Sequence, residues 1–245
     1  MTPLLAAERL FKRFGGVQAV KDLSFDVREG EILALIGPNG AGKTTVFALL
    51  SGFLRPDAGD VRFRGHSVVG EKPHAIVAQG LARTFQIVRP FPRLTVLRNV
   101  MVGALARHPH PPAAEARARA VLEEVGLAGA SHRPAAGLTL AERKRLELAR
   151  ALATEPALLL LDEVMAGLND AETERIVELV RGINARGVAI LLIEHVMRAV
   201  MALAQRIVVI SGGERIAEGR PDAVARDPRV IEAYLGDEHV DAAPA

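Results

Sequence analysis

Gly37-Pro38-Asn39-Gly40-Ala41-Gly42-Lys43-Thr44-Thr45 fits the pattern G-x-x-x-x-G-K-[ST], and its neighbours supply the context that pattern requires. Before it, Glu31 to Ile36 reads EILALI, a buried β-strand; after it, Val46 to Leu50 opens an apolar helix. Glycines in such a loop let the backbone wrap a polyphosphate with its N–H groups pointing inward. The helix that follows adds the positive end of its dipole. Lys43 brings a mobile charge for the β- and γ-phosphates, and the Thr44 hydroxyl is placed to ligate Mg²⁺. A glycine-rich turn with an incidental lysine is the plainer reading, but strand, loop and helix in this order favour nucleotide binding.

At 245 residues the chain suits one large α/β domain, or a core with a smaller subdomain. Apolar residues make up 49% and charged residues 24%, the balance of a globular and not a disordered chain. A formal net charge of +2 is too small to argue for a nucleic-acid partner, and none is expected. The absence of cysteine excludes disulfides and thiolate metal sites. No apolar run approaches the ~18 residues that a bilayer span requires. ALLLL (157–161) ends at Asp162, and VAILLI (188–193) ends at Glu194. The opening MTPLLAAERLFKRF is interrupted by Glu8 and Arg9 and does not read as a secretory signal. A soluble, cytoplasmic chain is expected, with any membrane crossing left to other subunits.

Short strands with turns fill the first part, marked by Leu10, Phe11, Phe25 and Val27. A turn cluster at 54–59 precedes a brief strand from Val61 to Phe63. Beyond Gln86 the texture changes: Thr95 to Arg107 and Ala113 to Val125 are helical, separated by His108-Pro109-His110-Pro111-Pro112. The histidines of that loop read as solvated surface and not as metal ligands. A third helix runs from Leu140 to Ala153. Then β/α alternation returns: ALLLLD, a helix from Asp170 to Arg186 with Ile176, Leu179, Val180 and Ile183 on one face, and VAILLI. Arg206–Ile210 and Glu214–Ala217 read as a hairpin around Ser211-Gly212-Gly213. The expected organisation is a core from residues 1–86 and 155–236, a helical subdomain at 87–154, and a frayed tail at 237–245.

Leu158 to Glu163 is the second informative stretch. Four leucines bury a strand on both faces, and Asp162 emerges at its C-terminal end, where open α/β sheets bind ligands. Asp162 suits the outer coordination shell of Mg²⁺, and Glu163 can polarise a water beside the γ-phosphate.

With both stretches in hand the chain resembles the ATP-binding subunits of ABC transporters, over about residues 5–236. The resemblance implies an α/β fold: a P-loop RecA-like core, an N-terminal antiparallel β-subdomain and an inserted α-helical subdomain. It equates Gly37–Thr45 with the Walker A loop and Leu158–Glu163 with Walker B and its catalytic glutamate. It also implies that Gln86, in Arg83-Thr84-Phe85-Gln86, senses Mg²⁺ and the γ-phosphate and faces a membrane subunit. By the same resemblance His195 contacts the γ-phosphate and Phe14 stacks on adenine, where tyrosine is more usual. The substrate implied is ATP with Mg²⁺.

RTFQIVRPFPRLTVLRNV, RLELARALATEPALLLLDE, AGLND, IEHVMRAVM and VIEAYLG resemble the ATPase subunits of branched-chain amino-acid importers. Urea-type importers and lipopolysaccharide exporters are near relatives, and a soluble ABC protein without a transport role is the remaining alternative. The partners implied are two integral-membrane permeases, a second ATPase (a related chain, or a second copy) and, indirectly, a periplasmic or extracellular solute-binding protein. Attachment would be peripheral, at the inner face of the cell membrane.

One segment departs from the family. In place of L-S-G-G-Q stands Leu138-Thr139-Leu140-Ala141-Glu142. Thr139-x-x-Glu142 still reads as a capping box that keeps an anion-facing helix start, so Thr139 and Glu142 remain expected ATP contacts. Leu140 and Ala141, however, add Cβ atoms where glycines allow close approach. Glu142 adds negative charge near the γ-phosphate unless the capping bond turns it away. An asymmetric pair is expected, with the site completed by this segment the weaker; a subfamily that tolerates Leu-Ala is the alternative. Val164 stands in place of proline and Asn169 in place of aspartate, the latter still able to hydrogen-bond across a dimer. Arg83, Arg89, Arg93 and Arg98 surround Gln86, fitting either an acidic permease element or a solvated face.

Overall fold

Strands that are buried on both faces need apolar residues at every position, and three such runs form the centre of this protein. The structure, a computed structural model, describes residues 2–87 and 89–238. Its N-terminal part comprises β1 (Leu5–Phe14), β2 (Val17–Val27), β3 (Ile32–Ile36), α1 (Lys43–Leu50), β4 (Ala58–Phe63), β5 (His66–Ser67), α2 (Pro73–Gln79) and β6 (Leu81–Arg83). Helices α3 (Val96–Ala104), α4 (Pro111–Glu124) and α5 (Leu140–Leu152) follow. Then come β7 (Leu158–Asp162), α6 (Asp170–Ala185), β8 (Ala189–Ile193), α7 (Met197–Leu203), β9 (Arg206–Ser211), β10 (Glu214–Gly219), α8 (Pro221–Val224) and α9 (Pro228–Glu238).

Six strands form the main sheet in the order β10-β9-β3-β8-β7-β6, parallel except for the β9–β10 hairpin. The period of two divides each central strand between two cores. Ile32, Ala34, Ile36, Leu159, Leu161, Ile190 and Leu192 face the helices α3 to α7. Leu33, Leu35, Leu158, Leu160, Leu191 and Ile193 face α1 and the second sheet, an antiparallel β2-β1-β4-β5 layer. Each fully buried leucine or isoleucine contributes about 1.5–3 kcal/mol, so polar residues are tolerated only where the strands end.

Those ends are where the chemistry-bearing residues lie. Lys43 opens α1 just past β3, Asp162 closes β7, and His195 follows β8 by two residues. The loop after Gln86 is pinned by buried Asn99: its Oδ1 accepts from the Phe91 N–H at 2.8 Å, and its Nδ2 donates to the carbonyls of Phe91 and Thr95.

Several expected boundaries shift. β4 starts at Ala58 and not Val61, and α3 ends at Ala104, short of Arg107. The seven-residue helices α2 and α7 were not read from the sequence, because one amphipathic turn or two carries little periodic signal. Helix α9 continues to Glu238, two residues into the expected tail; the rest of that tail lies outside the described residues. Among the described residues no helix is long and apolar enough to cross a membrane.

Candidate functional site

Packing dictates two of the three glycines in the loop after β3. A Cβ on Gly37 would lie 2.0 Å from the Ile210 carbonyl oxygen, and one on Gly42, whose φ is 101°, would lie 2.2 Å from that of Ala19. The loop is thereby clamped between β9 and β2. Pro38 and Thr45 are half-buried and Ala41 is buried, while Asn39, Gly40 and Thr44 are exposed. Lys43 lies back across the loop, its Nζ donating to the carbonyls of Gly37 at 2.6 Å and Pro38 at 2.8 Å. Helix α1 has no acidic residue in its first turn, which leaves its dipole end open to an anion. Burial pushes the Tyr234 phenol of α9 up, against a backbone hydrogen bond from Gly37 that sequence reading did not foresee.

Asp162 is 2% exposed, and its Oδ2 accepts from Arg83 Nη2 at 2.8 Å. Arg83 was expected among surface arginines. Instead its side chain is 9% exposed, with the guanidinium 5.2–5.9 Å from the ring centroids of Phe85, Phe47 and Phe53. A position at the end of a short buried strand beside an acid-bearing strand is the signal that could have found it. Asp162 Oδ1 has no hydrogen-bond partner among the described residues. Asp162, Arg83, Thr44 and Gln86 share the lining of a cavity of about 480 Å³ with Glu147 and Arg150.

Glu163 gathers the remaining expected residues. Gln86 Nε2 donates to its Oε2 at 2.6 Å, and His195 Nε2 shares a hydrogen bond with its Oε1 at 2.7 Å. A carboxylate oxygen carries two lone pairs, so both retain capacity for a water proton. Burial pushes the neighbouring Glu194 carboxyl up to about 7; it accepts from the Met165 N–H at 2.9 Å.

Thr139 and Glu142 form the expected capping box at the start of α5. Glu142 Oε2 accepts from the Thr139 N–H at 2.8 Å, and Oε1 pairs with Arg133 at 3.0 Å. Both oxygens are thus occupied by the cap and by an arginine, and the Thr139 backbone bond holds the carboxyl below its usual range. Leu140 is exposed and leans toward Gly167. Asn169, read as able to hydrogen-bond across a dimer, caps α6 within this chain, its Oδ1 accepting from the Glu172 N–H at 2.9 Å. Phe14 ends β1, paired with Val17 and 46% exposed, on the hairpin whose other strand touches Gly42 through Ala19.

Residues 20–166 match the ABC transporter family, and residues 214–240 match the branched-chain amino acid ATP-binding cassette transporter family. The high-affinity branched-chain amino acid transport ATP-binding protein LivG of Salmonella typhimurium is 41% identical, over 96% of this chain and 98% of its own. BraF of Pseudomonas aeruginosa, with the same description, is 39% identical over the same shares. Two solved ATP-binding cassettes from ABC transporters superpose with a TM-score of 0.87 each. A nucleotide-free one is 30% identical, covering 95% of this chain and 99% of its own. One in its ADP conformation is 31% identical, covering 96% and 100%. With phosphate loop, buried acidic strand end and six-stranded sheet in one arrangement, this chain belongs to the ABC transporter ATP-binding proteins and is an ATPase of that family.

Proposed function

We propose that this chain hydrolyses Mg²⁺-ATP with Glu163 polarising the attacking water, and thereby powers import of branched-chain amino acids. The observation that carries the catalytic part is the convergence of Gln86 and His195 on the two oxygens of Glu163, at a cavity that Gln86 lines together with Thr44 and Asp162. Phosphoryl transfer asks chiefly for positioning and charge stabilisation. Lys43 and the loop N–H groups bind the phosphates, His195 steadies the far end of the chain of phosphates, and Phe14 offers a face to the adenine. Thr44, Gln86 and Asp162 would hold Mg²⁺, and the orphaned, buried Asp162 Oδ1 suits an acceptor for one of the cation's waters. The cation would neutralise charge developing on the phosphate oxygens.

The amino-acid part rests on the LivG and BraF likeness and on the C-terminal family match. In this reading the chain attaches to the inner face of the membrane through two permeases and pairs with a second ATPase. Residues 1–86 and 155–236 serve as the nucleotide-binding core and 87–154 as the helical unit that presents Thr139 and Glu142 to the partner's ATP. Leu140 and Ala141 make that second site the weaker. The test is uptake of labelled leucine and ATP hydrolysis by vesicles holding the co-purified complex. Glu163→Gln is expected to lower both at least about a hundredfold. Undiminished hydrolysis sinks the catalytic assignment; hydrolysis without leucine uptake sinks the substrate.

A further inference from the structure

Glu163 has a φ of 48°, the left-handed region that residues with a Cβ seldom adopt, so its neighbours must hold it there. Its N–H donates to the Ile193 carbonyl of β8 at 3.0 Å. Its own carbonyl accepts from Lys144 Nζ at 2.7 Å, with the Ala166 N–H farther away at 3.3 Å. The same amine reaches the Gln86 carbonyl at 3.4 Å. One ammonium on α5 therefore meets the main chain of the two residues whose side chains bond to each other.

Lys144 is 5% exposed, an expensive setting for a charge that a methionine would fill at no desolvation cost. Helical periodicity puts it on the buried stripe of α5 with Glu147, Leu148 and Ala151. Burial holds its ammonium below the usual lysine range, with Glu194, Glu163, Asp162 and Glu147 acting in the other direction. Glu194, 3% exposed, also fastens the next turn of the chain through the Met165 N–H.

We propose that Lys144 is a positioning residue for hydrolysis: it clamps the carbonyls of Glu163 and Gln86, keeping Glu163 in the left-handed conformation that aims its carboxylate at Gln86, His195 and the attacking water. This rests on Glu163 being the water-polarising group. A displacement of about 1 Å at such a group costs up to a hundredfold in rate, whereas nucleotide affinity depends on the separate phosphate loop.

Steady-state hydrolysis by the co-purified complex, with equilibrium binding of a fluorescent ATP analogue, tests the clamp. Lys144→Met is expected to lower kcat at least about tenfold, with KM and analogue affinity within about twofold of the parent. Lys144→Arg, which keeps a cationic donor, is expected to lie above Lys144→Met. Unchanged kcat overturns the proposal, as does a loss seen in KM or affinity, or an arginine variant no better than methionine. If Lys144→Met does not fold, Lys144→Met/Glu194→Gln, which leaves no unpaired buried charge, is read by the same criteria. Glu163→Gln in the same preparation separates the two failures. Full turnover there removes the premise, while its loss beside an intact Lys144→Met kcat removes the clamp alone.

Discussion

Replacing Arg83 with methionine isolates the buried pair under the candidate metal site. Methionine fills much of the space between Phe47, Phe53 and Phe85 but leaves Asp162 Oδ2 without its donor, beside an Oδ1 that already has none. Removing one partner of a buried pair costs about 3–5 kcal/mol, because the other charge stays uncompensated. The lost ring contacts add about 0.5–1 kcal/mol each at most. In a chain of this length about 2–4 °C accompany each kcal/mol, so loss of the pair alone is expected to lower Tm by about 6–20 °C, and the ring contacts add to that fall. The double variant Arg83→Met/Asp162→Asn removes both charges and is expected to recover to within about 2 kcal/mol of the parent. Urea unfolding followed by circular dichroism, with thermal melts in parallel, measures all three proteins. A single variant that loses less than about 1 kcal/mol, or a double variant no more stable than the single, refutes the account of Arg83 as the counter-charge of Asp162.

Glu194 carries a pH signature. Its folded pKa of about 7 lies above the 4.5 of an unburied glutamate, so the folded chain binds the extra proton between those values. Stability from this group is complete below about 4.5 and is lost as pH rises through about 7, on the order of 3 kcal/mol in all. Urea midpoints across that window are expected to lose this slope in Glu194→Gln; an identical slope counts against it. Gly42→Ala drives a Cβ to 2.2 Å from the Ala19 carbonyl at a φ of 101°. The backbone conformation alone costs about 1–3 kcal/mol, and binding of a fluorescent ATP analogue is expected to disappear. Retained binding with an unchanged melt shows that the loop does not depend on its seat against β2.

The phosphate loop, the leucine strand and the helical pattern of α6 were legible because each is a local signal: a motif, a period of two, a period of 3.6. The capping box at Thr139 was legible for the same reason, since donor and acceptor lie three residues apart. Whether Glu142 would turn inward to that cap or outward to a phosphate depended on Arg133, nine residues upstream and across a turn. Arg83 misled because its composition is that of a surface residue, while its partner lies 79 positions away.

Local order along the chain thus settled which segments become strands and helices and which loops carry the glycine-rich motif and the acidic groups, because those outcomes need only neighbours within a turn or two. Sheet order β9-β3-β8-β7-β6 is a different matter. It alone brings Gln86, Glu163 and His195 to one edge, fits Gly37 against Ile210, and sinks Lys144 beneath the carbonyls of two distant loops. Such contacts depend on which strand lies beside which, and that is decided by closing two cores at once and not by any single stretch of residues.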